Sequence, residues 1–137
     1  MIRLTVELAG HKAQVYKEAE QLLSDIAHVD ILIVDLCLPG KMQGEHIAKA
    51  AQLLRQDIPI IMISAASSYE IHRRTQELVG IKILPKPFYI RELLRAIENF
   101  NHNTSNSDQR QHTQTRLDAY SGRSHPTLYA LPKSRQP

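Results

Sequence analysis

A single cysteine, Cys37, stands among 137 residues. One thiol can form neither an internal disulfide nor a cysteine-based metal cluster, which suits a reducing compartment. The chain has no apolar run of 18 or more residues and no basic-then-apolar leader. Neither a membrane span nor a secretory signal is therefore expected, and the expected location is the cytoplasm. An excess of charge of one sign is also missing from most of the chain. Residues 1–100 hold 12 Lys/Arg against 12 Asp/Glu, and the net +3 arises from 5 against 2 in residues 101–137. A neutral domain with a weakly basic tail presents no concentrated cationic patch, so nucleic acid is not an expected partner. His11, His28, His46 and His72 show no i, i+4 pairing of the kind that holds a metal on a helix.

Against these absences stands Asp30-Ile31-Leu32-Ile33-Val34-Asp35-Leu36-Cys37-Leu38-Pro39-Gly40. A short apolar run rich in β-branched residues and closed by a Pro-Gly turn reads as a buried parallel strand opening into a loop. Asp35 sits at that opening, where ligands and chemistry gather in open α/β sheets; a turn-capping carboxylate is the plainer reading.

The rest of the first hundred residues repeats the theme. Residues 1–9 read as the last turns of a helix ended by Gly10, and residues 12–16 alternate as a strand with one polar side. Ala19, Leu22, Leu23 and Ile26 form one helical stripe, as do Ile47, Ala50, Ala51 and Leu54 after Gly44. A second buried strand, 60–63, ends in Ser64, and a weak helix over 69–79 has Ile71, Thr75 and Leu78 as core candidates, with Arg73 and Arg74 on its other side. A short strand, 81–84, runs into Pro85-Lys86-Pro87-Phe88, and Ile90, Leu93, Leu94 and Ile97 stripe a last helix. The alternation of strands and helices predicts an α/β fold, a doubly wound parallel sheet with helices on both faces. Residues 101–137 are rich in Asn, Ser, Gln, Thr, His and Arg, with Leu117, Leu128 and Leu131 too sparse for a stripe. Such a segment buries too little to offset its ordering entropy, so a disordered tail is expected.

Three successive strands thus end in Asp35, Ser64 and Lys86, bringing a carboxylate, a hydroxyl and an ammonium to one edge, a set suited to handling phosphate. With Lys86-Pro87-Phe88, Ser64-Ala65 and Pro39-Gly40 behind Asp35, residues 1–100 resemble a response-regulator receiver domain of two-component signalling. The resemblance implies a flavodoxin-like sheet of order 2-1-3-4-5. It makes Asp35 the phosphoacceptor for a histidine kinase or phosphotransfer protein, Ser64 the switch hydroxyl and Lys86 the phosphate-binding cation, with a cis Lys86–Pro87 bond. It implies signalling to a downstream protein target through the last helix-strand-helix unit, with Ile83, Pro87 and Phe88 in the switch and output region. It also implies a signalling domain, not an enzyme.

Two departures qualify the likeness. Receivers begin with a strand ending in a pair of acidic residues that hold Mg²⁺. That strand and pair have no counterpart here, and Asp35 with the backbone carbonyl of Cys37 leaves too few oxygen ligands. The chain is accordingly expected to be an N-terminally incomplete receiver. In the 2-1-3-4-5 order the missing strand is central, so the edges of 31–34 and of the 12–16 strand are expected to be unpaired. Ile83 stands where the family has an aromatic switch residue, and Pro85 removes a backbone donor before Lys86. The alternative reading is a phosphorylation-independent, receiver-like binding module. A phosphoaspartyl hydrolase of the haloacid-dehalogenase type is disfavoured, because Cys37 occupies the place of its second acid. Cys37 itself reads as a small apolar filler.

Overall fold

The computed structural model describes residues 1–102 and 128–132. Its centre is β2 (Val29–Asp35) beside β3 (Ile60–Ser64), both almost wholly buried along their length. Apolar side chains on both faces of a strand require cover on both sides. Leu32, Val34, Ile60 and Met62 pack against α2 (Ala19–Ser24) and α3 (Gly44–Leu54), with Ile71 of α4 (Ser68–Thr75) in the same cluster. Ile31, Ile33, Ile61 and Ile63 face the other way, onto α1 (Ile2–Leu8) and α5 (Ile90–His102), where Ile2, Val6, Leu93 and Ile97 meet them. The period-2 alternation of the strands thus divides one continuous apolar text into two cores.

The parallel register sets the functional edge. Asp35 pairs with Ile63 across β2 and β3, and Ser64 pairs with Pro85 across β3 and β4 (Ile81–Pro85). The strands therefore end at one level, and the residues that close them are delivered to a common rim. The fourth helix is shorter than its sequence suggests. Ser67 caps it, its hydroxyl accepting the Glu70 N–H at 3.3 Å, and it stops at Thr75.

The structure departs from the tail expectation over five residues. Leu128–Pro132, within the segment expected to be disordered, forms a strand, β5, and the sheet order is β1-β5-β2-β3-β4, with β1 spanning Gln14–Tyr16. β5 runs antiparallel to both neighbours, pairing Gln14 with Ala130, and Leu32 with Ala130 on the other side. The edges expected to be bare are therefore both paired. β1 and β2 run parallel with one strand between them, so the order is the expected one with the central place filled in reverse by the C-terminal strand. Exposed N–H and C=O rows on either side of a five-residue gap, with apolar cores above and below, favour an extended apolar segment whatever its direction. Leu128 and Ala130 enter the α2–α3 core and Leu131 the α1–α5 core. The rest of the tail, 103–127 and 133–137, lies outside the described residues.

Candidate functional site

Asp35 is 8% exposed at the end of β2 and has both carboxylate oxygens engaged. Oδ1 accepts the Cys37 N–H at 2.9 Å, the local turn that a strand-terminating Asp favours. Oδ2 accepts from the Lys86 ammonium, and the two side chains are largely buried as an ion pair. Lys86 is carried there by β4 and fixed by its own N–H, which donates to the Ser64 carbonyl at 2.7 Å. The Lys86–Pro87 bond is cis, as expected. Ser64 is fully buried at the matching point of β3, and its hydroxyl oxygen accepts the Ala66 N–H at 3.0 Å. Asp35 and Lys86 are thus in direct contact, and Ser64 closes the strand between them.

The helix after β2 leans directly on this strand end. Gly44, the first residue of α3, donates its N–H to the Leu36 carbonyl at 3.2 Å. A Cβ there would lie 2.1 Å from the Asp35 carbonyl oxygen and 2.8 Å from Leu36 Cα. Only glycine allows so close an approach of two backbones.

Sequence reasoning missed a second group, around Arg74. Placed on the solvent side of its helix by the apolar stripe, Arg74 is in fact largely buried, its side chain only 12% exposed. It pairs with Glu45 through two hydrogen bonds, Nε to Oε1 at 2.9 Å and Nη2 to Oε2 at 2.6 Å. Nη2 also donates to the Leu36 carbonyl at 3.0 Å, and Nη1 lies 3.6 Å from Cys37 Sγ. Burial pushes the Glu45 carboxyl up, but the Arg74 hydrogen bonds outweigh it and hold the group below the usual carboxylate range. Those hydrogen bonds likewise strengthen the guanidinium's hold on its proton. The only clue in the sequence was the i, i+4 spacing of Glu70 and Arg74, which meet at 3.7 Å.

The remaining sites fall in different surroundings. Cys37 is exposed, not the apolar filler expected, because the turn made by Asp35 points it out of the strand. Ile83 is half-buried against the α2–α3 core. Pro87 is exposed, whereas Phe88 is 1% exposed within the α1–α5 core and so cannot itself present a surface to a partner. Beside it, Arg91 stacks over the Tyr89 ring at 4.8 Å.

A divalent ion at this edge would need several oxygen donors. Asp35 supplies a carboxylate there, already held by Lys86, and Glu45 is committed to Arg74. Among the described residues no three His, Cys, Asp or Glu side chains are grouped to hold a metal. Leu128 of β5, antiparallel, comes to the same rim where the family's first strand would deliver its acids. The described residues do not fit the ion.

A parallel-cored sheet with a buried carboxylate, hydroxyl and ammonium on successive strand ends defines a class, the flavodoxin-like α/β domains. The particular family follows from comparison: a model of the response regulator receiver domain matches residues 1–98, and the chain belongs to that family. It is 27% identical over 93 residues to the transcriptional regulatory protein MalR of Bacillus subtilis, a match covering 67% of this chain and 39% of MalR. It is 27% identical over 71 residues to sporulation initiation phosphotransferase F of the same organism, covering 52% and 56%. Among solved structures, the chemotaxis protein CheY4 of Vibrio cholerae superposes with a TM-score of 0.65 at 23% identity, covering 73% of this chain and 86% of that one. A CheY-like receiver from Methanospirillum hungatei gives 0.66 at 23%, covering 75% and 84%. The chain thus spans well under two thirds of MalR. Receiver domains as a family exchange signals with histidine kinases or phosphotransfer proteins and with downstream targets, and generally use Mg²⁺. Among the described residues no helix is long and apolar enough to cross a membrane.

Proposed function

We propose that this domain receives a phosphoryl group on Asp35 and relays the event through the face formed by α4, β4 and α5. The observation that carries the reading is the Asp35–Lys86 ion pair, with Ser64 closing the strand between them. In the transfer an Asp35 carboxylate oxygen would form the new bond to phosphorus. The bond from phosphorus to the donor's imidazole nitrogen, or to acetate in acetyl phosphate, would break, and the donor would leave with its electron pair. Lys86 would then exchange its carboxylate partner for the phosphoryl oxygens, and the Ser64 hydroxyl would donate to them. Exposed Tyr69 in α4 and Tyr89 immediately before α5 support that face as the one a downstream protein reads.

The shortage of oxygen donors for a metal favours a second reading, a receiver-fold module that binds its partner without phosphorylation. Intact mass after incubation with acetyl phosphate, with and without Mg²⁺, separates the two. A gain of about 80 Da, one phosphoryl group, absent from Asp35→Asn, is the result expected of the first reading. No gain in a chain shown by circular dichroism to be folded would establish the second. A gain that does not depend on Mg²⁺ would mean that the chain's own cations suffice.

A further inference from the structure

The strand that completes this sheet comes from far along the chain. After His102 at the end of α5, 25 residues intervene before Leu128 opens β5. β5 is hydrogen-bonded along both edges, and β1 and β2 have no pairing with each other among the described residues. It therefore sits in a slot that the rest of the domain defines: two strand edges facing each other, with an apolar core above and another below. The requirements of the slot are legible in its occupant. Leu128 and Ala130 fill one side, Tyr129 and Leu131 pack towards the other, and Pro132, which has no N–H to offer, closes the run against Val29. Ala130 is 1% exposed, and its side chain enters the α2–α3 core, where a longer polar group would be buried among apolar side chains.

We propose that the gap between β1 and β2 is a binding site for an extended apolar segment, whose resident ligand is the chain's own Leu128–Pro132, held there non-covalently and replaceable by the same segment supplied in trans. Recognition is by strand addition: main-chain hydrogen bonds on both edges supply affinity, and alternate side chains entering two cores supply selectivity. A long connection costs little more to close than a short one, since the entropy penalty grows only with the logarithm of its length. Being part of the same chain presents a resident segment at an effective concentration of order millimolar. A free competitor at micromolar concentration is therefore excluded from the intact chain but admitted once the resident strand is disabled. The inference does not depend on phosphorylation of Asp35.

The test uses the full-length chain carrying Ala130→Asp, which places a carboxylate inside the slot, and a fluorescein-labelled peptide of residues 126–134. The peptide is expected to bind the variant at least tenfold more tightly than the unaltered chain by anisotropy and to raise the variant's melting temperature. A variant that melts like the unaltered chain overturns the proposal, as does a destabilised one that the peptide neither binds nor restabilises. A second variant leaves the apolar occupant nearly intact: Gln14→Cys with Ala130→Cys, in a Cys37→Ser background, places a thiol on each of two paired residues. Mild oxidation is expected to close a disulfide within one chain, seen as a faster-migrating monomer on a non-reducing gel. Disulfide-linked dimers would show that a second copy supplies the strand, and no disulfide would show the slot without its strand; either overturns the resident assignment.

Discussion

Gly44 carries more of the site's geometry than its lack of a side chain suggests. The Asp35 carbonyl and Leu36 Cα stand where its Cβ would be, and neither belongs to a flexible side chain that could swing away. Gly44→Ala must push the first turn of α3 off the end of β2. The expected cost is about 1–3 kcal/mol in urea denaturation, the usual penalty for overpacking a tight contact. A variant as stable as the parent would mean that α3 can slide without disturbing Asp35. At the same scale, Asp35 and Lys86 were legible from the sequence because strand ends in a parallel sheet are predictable from apolar runs alone. Gly44 was legible only as a residue preceding a helix, because close approach of backbones is not written in composition.

Between elements, the Arg74–Glu45 pair ties α4 to the first turn of α3 and, through the Leu36 carbonyl, to the loop after Asp35. Arg74→Ala leaves Glu45 and that carbonyl without their partner in a mostly buried place. A loss of about 3 kcal/mol is expected, the lower end of what breaking a buried pair costs. The pair also gives a pH dependence with a definite sign. Glu45 titrates lower in the folded chain than its ordinary value of 4.5, so its contribution is fully present above that pH. It fades as the pH falls through the lowered value, while Arg74 stays charged throughout. The stability gap between the parent and Glu45→Gln should therefore be constant from pH 7 to about 5 and narrow towards pH 3. A gap unchanged at pH 3 would remove Glu45 from the acid response. The stripe of α4 pointed Ile71 and Thr75 inward as found, yet gave no hint that a charged neighbour is also drawn in. A guanidinium lies wherever carboxylate and carbonyl partners converge, and those come from residues 29 and 38 positions away.

For the whole molecule, β5 joins the two cores that the central strands divide. Leu131 lies with Ile2, Val6, Leu93 and Ile97, while Leu128 and Ala130 lie with Leu22, Leu32 and Ile47. Removing one large side chain from it should therefore destabilise the domain as a unit. Leu131→Ala is expected to lower the unfolding free energy by about 2–4 kcal/mol, with far-ultraviolet dichroism and tyrosine fluorescence still reporting one transition. Two separated transitions would mean that the α1–α5 side unfolds independently of the rest. Unchanged stability would mean that the strand contributes nothing to the fold.

What the sequence by itself determined is local. Branched apolar runs gave buried parallel strands, i, i+3, i+4 stripes gave the helices between them, and strand-end residues gave Asp35, Ser64 and Lys86 at one rim. Each follows from neighbours within about a dozen residues, which is the range over which period and turn chemistry act. Only the tertiary structure decided the rest. Leu128-Tyr129-Ala130-Leu131-Pro132 has no stripe and lies in polar text, and by composition it had no reason to order. Two strand edges and two apolar faces, assembled from residues roughly a hundred positions earlier, supply the hydrogen bonds and buried area that five residues cannot provide for themselves.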